Sequence, residues 1–230
     1  MIDAHLHGIE AVPANYSDYG DLKGMVSCVA KADEWDRQLS NGDPRMIKSY
    51  GIHPWYAEEW TPENRERLFD ILAGDPAAQI GEIGLDGKRG RIQAQTAAFE
   101  EQLDMAEQFN RVVSVHDIGC EKIVLESLRG RTLRAVILHS YGSDSYLKPF
   151  SELECYFSVS PRLLSRSDIR VRRLVDAIPE DRLLLETDSP NCGRDFSGMR
   201  DFAERLGSIA GRPADSLLSL AEQNFGRIFI

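Results

Sequence analysis

The sequence predicts a TIM (β/α)8-type barrel of the α/β class, folded as a single domain, on three observations. Short apolar runs alternate with longer, mostly amphipathic stretches eight times along 230 residues, a length that barrels of this class reach undivided. The apolar runs are near-continuous, as parallel strands buried on both faces require. All five histidines fall at the C-terminal ends of these runs, the end at which a barrel gathers its active site. An open doubly wound sheet is the rival arrangement, but no G-x-G-x-x-G or P-loop follows any strand. No internal repeat, low-complexity segment or linker interrupts residues 1–230.

The first strand opens with Met1-Ile2 and ends in Asp3-Ala4-His5-Leu6-His7. Residues i and i+2 of a strand face the same side, so one strand offers two imidazoles to one ion. Strands over 24–30 and 45–53 follow, the latter ending at His53. Thr61 as N-cap and Pro62 in the first turn predict a helix that stops at Gly74. A fourth strand over 78–84 carries Glu82 within Gly81-Glu82-Ile83-Gly84-Leu85-Asp86. Phe99, Leu103 and Ala106 recur at helical spacing and predict a long helix over 92–108. Strand 112–116 ends at His116, a helix lies near 121–128, and strand 133–139 ends at His139. A helical turn or two precede strand 155–159, a helix lies near 168–178, and strand 182–188 ends in Glu186-Thr187-Asp188. Amphipathic segments near 196–206 and 213–229 close the chain.

Composition narrows the function. Apolar and charged fractions of 42% and 28% are those of a soluble globular protein. A formal charge of −10 argues against a broad basic face for non-specific nucleic-acid binding. It leaves room for a nucleic-acid enzyme whose positive field is local, since a metal pair can supply one. Cys28, Cys120, Cys155 and Cys192 lie far apart without a C-x-x-C, which suits reduced thiols in a cytoplasmic protein. The first residues lack a basic n-region and a long apolar h-region, and no apolar run approaches the roughly 18 residues of a membrane span. No membrane and no obligate protein partner are implied.

Two of the strands that lack histidine end in carboxylates, Glu82 and Asp188. Imidazoles and carboxylates converging on one mouth form a mixed nitrogen and oxygen site. Such a site suits zinc, manganese, iron or nickel, and magnesium less well. His5, His7, Glu82, His116, His139 and Asp188 are more ligands than one tetrahedral ion takes, so two divalent metal ions are expected. A carboxylate can give one oxygen to each ion, which marks Glu82 as the bridge.

These motifs resemble the TatD-type deoxyribonucleases, a branch of the metal-dependent, amidohydrolase-like hydrolase barrels. The resemblance spans nearly the whole chain: D-A-H-L-H, G-I-H-P-W at His53, G-E-I-G-L-D at Glu82 and V-S-V-H at His116. L-H-S-Y-G-S at His139, E-T-D-S-P at Asp188 and N-F-G-R-I-F near the end continue it. The resemblance implies His5, His7, Glu82 and Asp188 around one metal, and Glu82, His116 and His139 around the other. His53 would contact substrate or the groups that hold the ligands, and Asp188, touching the attacking water, would act as base, so Asp188 and Glu82 form the catalytic pair. Glu186, two residues before Asp188, faces the same side one layer deeper. It reads equally as an orienter of the ligands and as a buried, hydrogen-bonded carboxylate.

One departure bears on substrate. Nuclease members of the family usually carry an arginine two residues after the fifth-strand histidine, and here Ile118 stands there. Ile118 offers a phosphate no hydrogen bond, and Asp117 would repel one if it faced the site. Lys88, Arg89, Arg91, Arg162 and Arg194 are the substitute cations, on loops expected to follow strands; solvated loop charge is the plainer reading of each. Trp55 and Tyr141 are candidates to stack a base or sugar at the mouth, or else core aromatics. Cys192 reads as a packed thiol rather than a nucleophile. A nucleic acid or small phosphodiester leads as substrate, cleaved by metal-activated water. The alternatives are a small amide, ester or lactone, and a metal-binding module without catalysis.

Overall fold

Among the described residues eight parallel strands follow one another around a single sheet in chain order. They are β1 (Ile2–Leu6), β2 (Gly24–Cys28), β3 (Met46–Tyr50), β4 (Gln79–Asp86), β5 (Val112–Ile118), β6 (Ala135–Leu138), β7 (Tyr156–Val159) and β8 (Leu183–Leu185). The computed structural model describes residues 1–8, 16–192 and 196–229. Each strand pairs in parallel with the next, from β1 with β2 to β7 with β8. This is the predicted barrel, nearly closed.

The seam lies at the ends of β1 and β8. There the Asp188 N–H donates to the His5 carbonyl at 3.0 Å and the His7 N–H to the Ser189 carbonyl at 2.8 Å. Beneath them the buried Asp3 carboxylate accepts from the Thr187 N–H (3.0 Å), the Thr187 hydroxyl (2.6 Å) and the Tyr16 hydroxyl (2.9 Å). Closure of the barrel and placement of His5, His7 and Asp188 are therefore the same event.

The outer layer comprises α1 (Trp35–Ser40), α2 (Pro62–Gly74), α3 (Ile92–Gln108), α4 (Glu121–Leu128), α5 (Leu147–Glu152), α6 (Asp168–Ala177), α7 (Met199–Ala210) and α8 (Ala214–Phe229). As the sequence predicts, Thr61 caps α2 by accepting the Asn64 N–H at 3.2 Å, and Pro62 opens it. α3 buries Phe99, Leu103 and Ala106 against the sheet. Predicted strands over 24–30 and 45–53 stop earlier, at Cys28 and Tyr50, because the chain there turns outward and the His53 N–H reaches across to the Ala30 carbonyl at 2.8 Å. β6 and β8 are also shorter than predicted, since Ser140 (φ 47°) and Asp188 (φ 54°) bend the exits out of the ladder. α1 escapes the sequence pattern because tertiary contact places it: Trp35 is wholly buried and its indole N–H donates to the Gly51 carbonyl.

Three buried glutamines on helices fasten the strand exits that carry the functional side chains. Gln38 bonds the Ser27 and Ser49 carbonyls at 2.9 and 2.8 Å. Gln102 accepts the Ile52 N–H at 2.7 Å, and Gln95 accepts the Asp86 N–H at 2.7 Å. Satisfied buried amides of this kind fix a backbone more tightly than apolar packing does.

Gly84 permits the closest approach in the barrel. It lies opposite His116 in the β4–β5 ladder with φ 134°, and a Cβ there would stand 2.0 Å from the His116 carbonyl oxygen. Gly84→Ala is expected to cost roughly 3 kcal/mol or more, since both the φ and the contact are forbidden to alanine. Thermal unfolding measures this, and a melting point within about 2 °C of the parent would show that β4 and β5 can separate freely there. Among the described residues no helix is long and apolar enough to cross a membrane.

Candidate metal centre

At the C-terminal mouth of the barrel a cavity of about 620 Å³ is bounded at depth by His7, His53, Glu82, His116, His139 and Asp188. Glu82 stands at its centre, and its two oxygens face different imidazoles. Oε2 lies 3.4 Å from His5 Nε2 and 3.7 Å from His7 Nε2. Oε1 lies 2.8 Å from His116 Nδ1 and 3.2 Å from both His53 Nε2 and His139 Nε2. Asp188 joins the first side, its Oδ1 3.5 Å from His7 Nε2.

The far nitrogens of His7, His139 and His5 are already engaged. His7 Nδ1 lies 3.1 Å from the Cys28 carbonyl, which can only accept, so Nδ1 carries the proton and Nε2 presents a bare lone pair. His139 Nδ1 lies 2.9 Å from Glu186 Oε1 and His5 Nδ1 lies 3.0 Å from the Ser114 hydroxyl. Ring orientation by a carbonyl, carboxylate or hydroxyl is what metal-ligating histidines require. His5 Nε2 is buried with no hydrogen-bond partner. A buried polar atom left so is costly unless a cation meets it. The donor set therefore fits divalent metal. Among the described residues three groupings have atoms close enough to hold an ion: His5, His7 and Glu82; His5, His139 and Asp188; and His53, Glu82 and His116.

His53 differs from the others. Its Nδ1 accepts the Trp55 backbone N–H at 3.1 Å, so the proton of the neutral ring sits on Nε2, facing Glu82. Burial, with further repulsion from His116 and His139, outweighs Glu82 and holds its pKa below the ordinary value, in favour of the neutral form. His53 is a fixed donor.

The carboxylates are ionised. Burial opposes charge on Glu82, but His139, His53 and His116 hold its carboxyl well below the usual range. At Asp188 burial likewise opposes charge, and His7, His139 and His5 prevail and lower it. Burial and His5 depress His139, yet Glu82 and Glu186 outweigh them and lift it to about 10. Divalent metal bound there would displace protons from the imidazoles.

A sequence profile of the family described as TatD related DNase matches residues 2–229. The chain belongs to the TatD family. The 3'-5' ssDNA/RNA exonuclease TatD of Erwinia amylovora is 32% identical over 180 residues, covering 74% of this chain and 69% of that protein. The metal-dependent hydrolase YabD of Bacillus subtilis is 25% identical over 258 aligned positions, covering 100% of this chain and 98% of that protein. The crystal structure of YJJV, a TatD homolog from Escherichia coli, superposes with a TM-score of 0.85 at 23% identity over 100% of this chain and 97% of that one; that likeness concerns the fold. This TatD chain is a metal-dependent hydrolase.

Among the other residues that the sequence singles out, the TatD fold brings some to the mouth and not others. Arg162 lines the cavity with its Nη2 3.2 Å from Asp188 Oδ2. Arg89 stacks over the Trp55 ring at 3.8 Å, and Trp55, half exposed, is part of the cavity wall. Tyr141 is a core residue instead, packed edge-on to Phe157 and Phe150 and absent from the cavity wall. Its position two residues beyond His139 carries it under the loop rather than over the mouth. Arg91 is ion-paired with Glu58, Lys88 is exposed outside the cavity wall, and Arg194 lies outside the described residues. Asp117 does not line the cavity; it accepts the Cys120 N–H, and burial with Glu121 pushes its carboxyl up to about 7. Burial pushes the Cys192 thiol up to about 11, so it stays protonated.

Sequence reasoning missed Lys31 and Arg37, cations of the cavity wall contributed by the chain after β2. No histidine or carboxylate motif marks that strand's end. It also missed Asp86 as a partner of the metal-site histidines. The Asp86 carboxylate, fixed by the Trp55 indole N–H at 2.6 Å, stands 3.6 Å from His116 Nε2.

Proposed function

We propose that this enzyme is a two-metal phosphodiesterase acting on nucleic acid, with His5, His7, Glu82 and Asp188 around one ion and Glu82, His116 and His139 around the other. The observation that carries the reading is the division of imidazoles between the two Glu82 oxygens, which suits a bridging carboxylate. The nitrogen-rich donor set favours zinc, manganese, iron or nickel over magnesium. Bound metal would acidify a water and polarise the scissile phosphoryl oxygen.

The chain's own groups do the remaining work. Asp188, ionised and beside His7, accepts the proton of the attacking water; its low basicity suffices because that water is acidic. His53 donates from Nε2 to a substrate oxygen. Glu186 holds the His139 ring through Nδ1 and also accepts the Ser140 N–H at 2.7 Å. Arg162, Lys31 and Arg37 ring the mouth and offer an anionic substrate the charge-assisted contacts that Ile118 cannot. Arg89 and Trp55 form a stacked platform beside them, suited to a base. This cationic rim favours a phosphodiester over a neutral amide, ester or lactone. The relative from Erwinia amylovora, named an ssDNA/RNA exonuclease, supports the same class. Cys28, Cys120, Cys155 and Cys192 are free and buried, which suits a reducing, cytoplasmic setting.

The test is hydrolysis of single-stranded DNA and bis-p-nitrophenyl phosphate in added zinc, manganese, nickel or magnesium, beside a panel of esters and lactones, with His5→Ala as control. Metal-dependent phosphodiester cleavage that the control lacks is expected. Turnover of esters or lactones alone would transfer the protein to the small-molecule branch.

A further inference from the structure

Residues 162–173 carry five arginines and one aspartate in a chain of formal charge −10. All five arginines are exposed, and Ile169 among them is 78% exposed. Four of the five lie against the cavity or the loop that leaves β6. Arg162 reaches into the cavity beside Asp188. Arg166 lies over Gly142, its Nη2 3.0 Å from where a Cβ would stand, so it covers the loop that leaves β6 after His139. Farther along that loop Asp144 is ion-paired with Arg173 and its carboxyl is held down by Arg173 first and by Arg170 as well. Arg172 turns aside, donating to the Ile209 carbonyl at 2.8 Å. Neither Arg166 nor Arg170 is ion-paired among the described residues.

We infer that Arg166, Arg170 and Arg173 form a track along which a single-stranded nucleic acid is led over the β6–α5 loop to Arg162 and the cavity; the inference rests on the phosphodiester reading above. A surface of mixed sign would serve solubility equally well. An arginine-rich strip in an acidic protein, with Asp168 and the Arg173-paired Asp144 as its carboxylates and its end at the active-site mouth, concentrates a polyanion where it is cleaved. The occupant is single-stranded because Glu82 and Asp188 lie at the floor of the cavity, each 3% exposed. An extended strand can be threaded to that depth, whereas a duplex backbone is held away by its partner strand.

The test is the charge reversal Arg166→Glu/Arg170→Glu, read by fluorescence anisotropy with a labelled single-stranded oligonucleotide that spans the track, in chelator to prevent cleavage. Dissociation constants about tenfold weaker or more are expected, with a salt dependence shallower by roughly 1.4 in log–log slope, about 0.7 for each lost contact. kcat/KM on bis-p-nitrophenyl phosphate, which is too small to reach the track, should be unchanged. Unaltered oligonucleotide binding, or equal loss on both substrates, would overturn the track. A parent protein that binds the strand but hydrolyses no phosphodiester would refute the functional reading and leave the track standing. A parent that cleaves the small substrate but fails to bind the strand would do the reverse.

Discussion

Asp188→Asn is expected to lower kcat about 10³-fold or more while leaving the barrel intact. The position constrains the choice of substitution. Asp188 has φ 54°, and asparagine is among the few residues that tolerate this left-handed conformation. Its backbone N–H bond to the His5 carbonyl is indifferent to the change. An amide keeps the volume and one acceptor oxygen but cannot take a proton at the pH of the assay. Measured kcat at saturating metal, bound-metal content and the melting curve separate the possible origins of a loss. Activity that returns on raising the metal concentration would make Asp188 a ligand and no more. Turnover within about tenfold of the parent would remove it from the role of base.

How far the site can be read from sequence follows the kind of signal each residue leaves. His5, His7, His53, Glu82, His116, His139 and Asp188 all sit at or just past strand ends, where strand periodicity and a barrel's polarity jointly locate them. The structure brings them together around Glu82 and Asp188. The rim is different in kind. Lys31, Arg37 and Arg162 acquire meaning only from how the chain after β2, through α1, and the chain after β7 fold over the mouth, and that placement leaves no period in a sequence. Tyr141 shows the converse. An aromatic just past a strand-end histidine reads as a mouth residue, yet the left-handed turn at Ser140 sends it into the core. Gln38, Gln95 and Gln102 were equally invisible, because a buried amide on a helix reads as polar surface until its partner carbonyls are known. The eight strands were legible because burial on both faces writes them as apolar runs. Their ends were not, because the exits are set by cross-strand hydrogen bonds at His53, Ser140 and Asp188.

Glu82→Gln should abolish activity and reduce bound metal at both positions, because each oxygen serves a different set of imidazoles. A glutamine has one acceptor oxygen and no charge, so it can keep company with His5 and His7 or with His116 and His139, not both. Metal content per chain, measured by elemental analysis after removal of loosely bound ions, is expected to fall together with turnover. A Gln variant that retains two ions would end the bridging assignment. A second reading needs no metal. His139 is lifted from an ordinary 6.5 to about 10 by Glu82 and Glu186, although burial and His5 oppose the shift. A raised histidine contributes stability that is fully present below pH 6.5 and is lost as pH rises toward 10. Glu82, lowered from an ordinary 4.5, contributes above that pH and loses its contribution as the medium is acidified further. The pair is thus strongest between about pH 4.5 and 6.5. In chelator, the parent should lose stability between pH 6.5 and 10, and the Gln variant should lose less because the carboxylate that raises His139 is gone. Parallel pH profiles for the two proteins would show that Glu82 does not set the charge of the imidazoles around it.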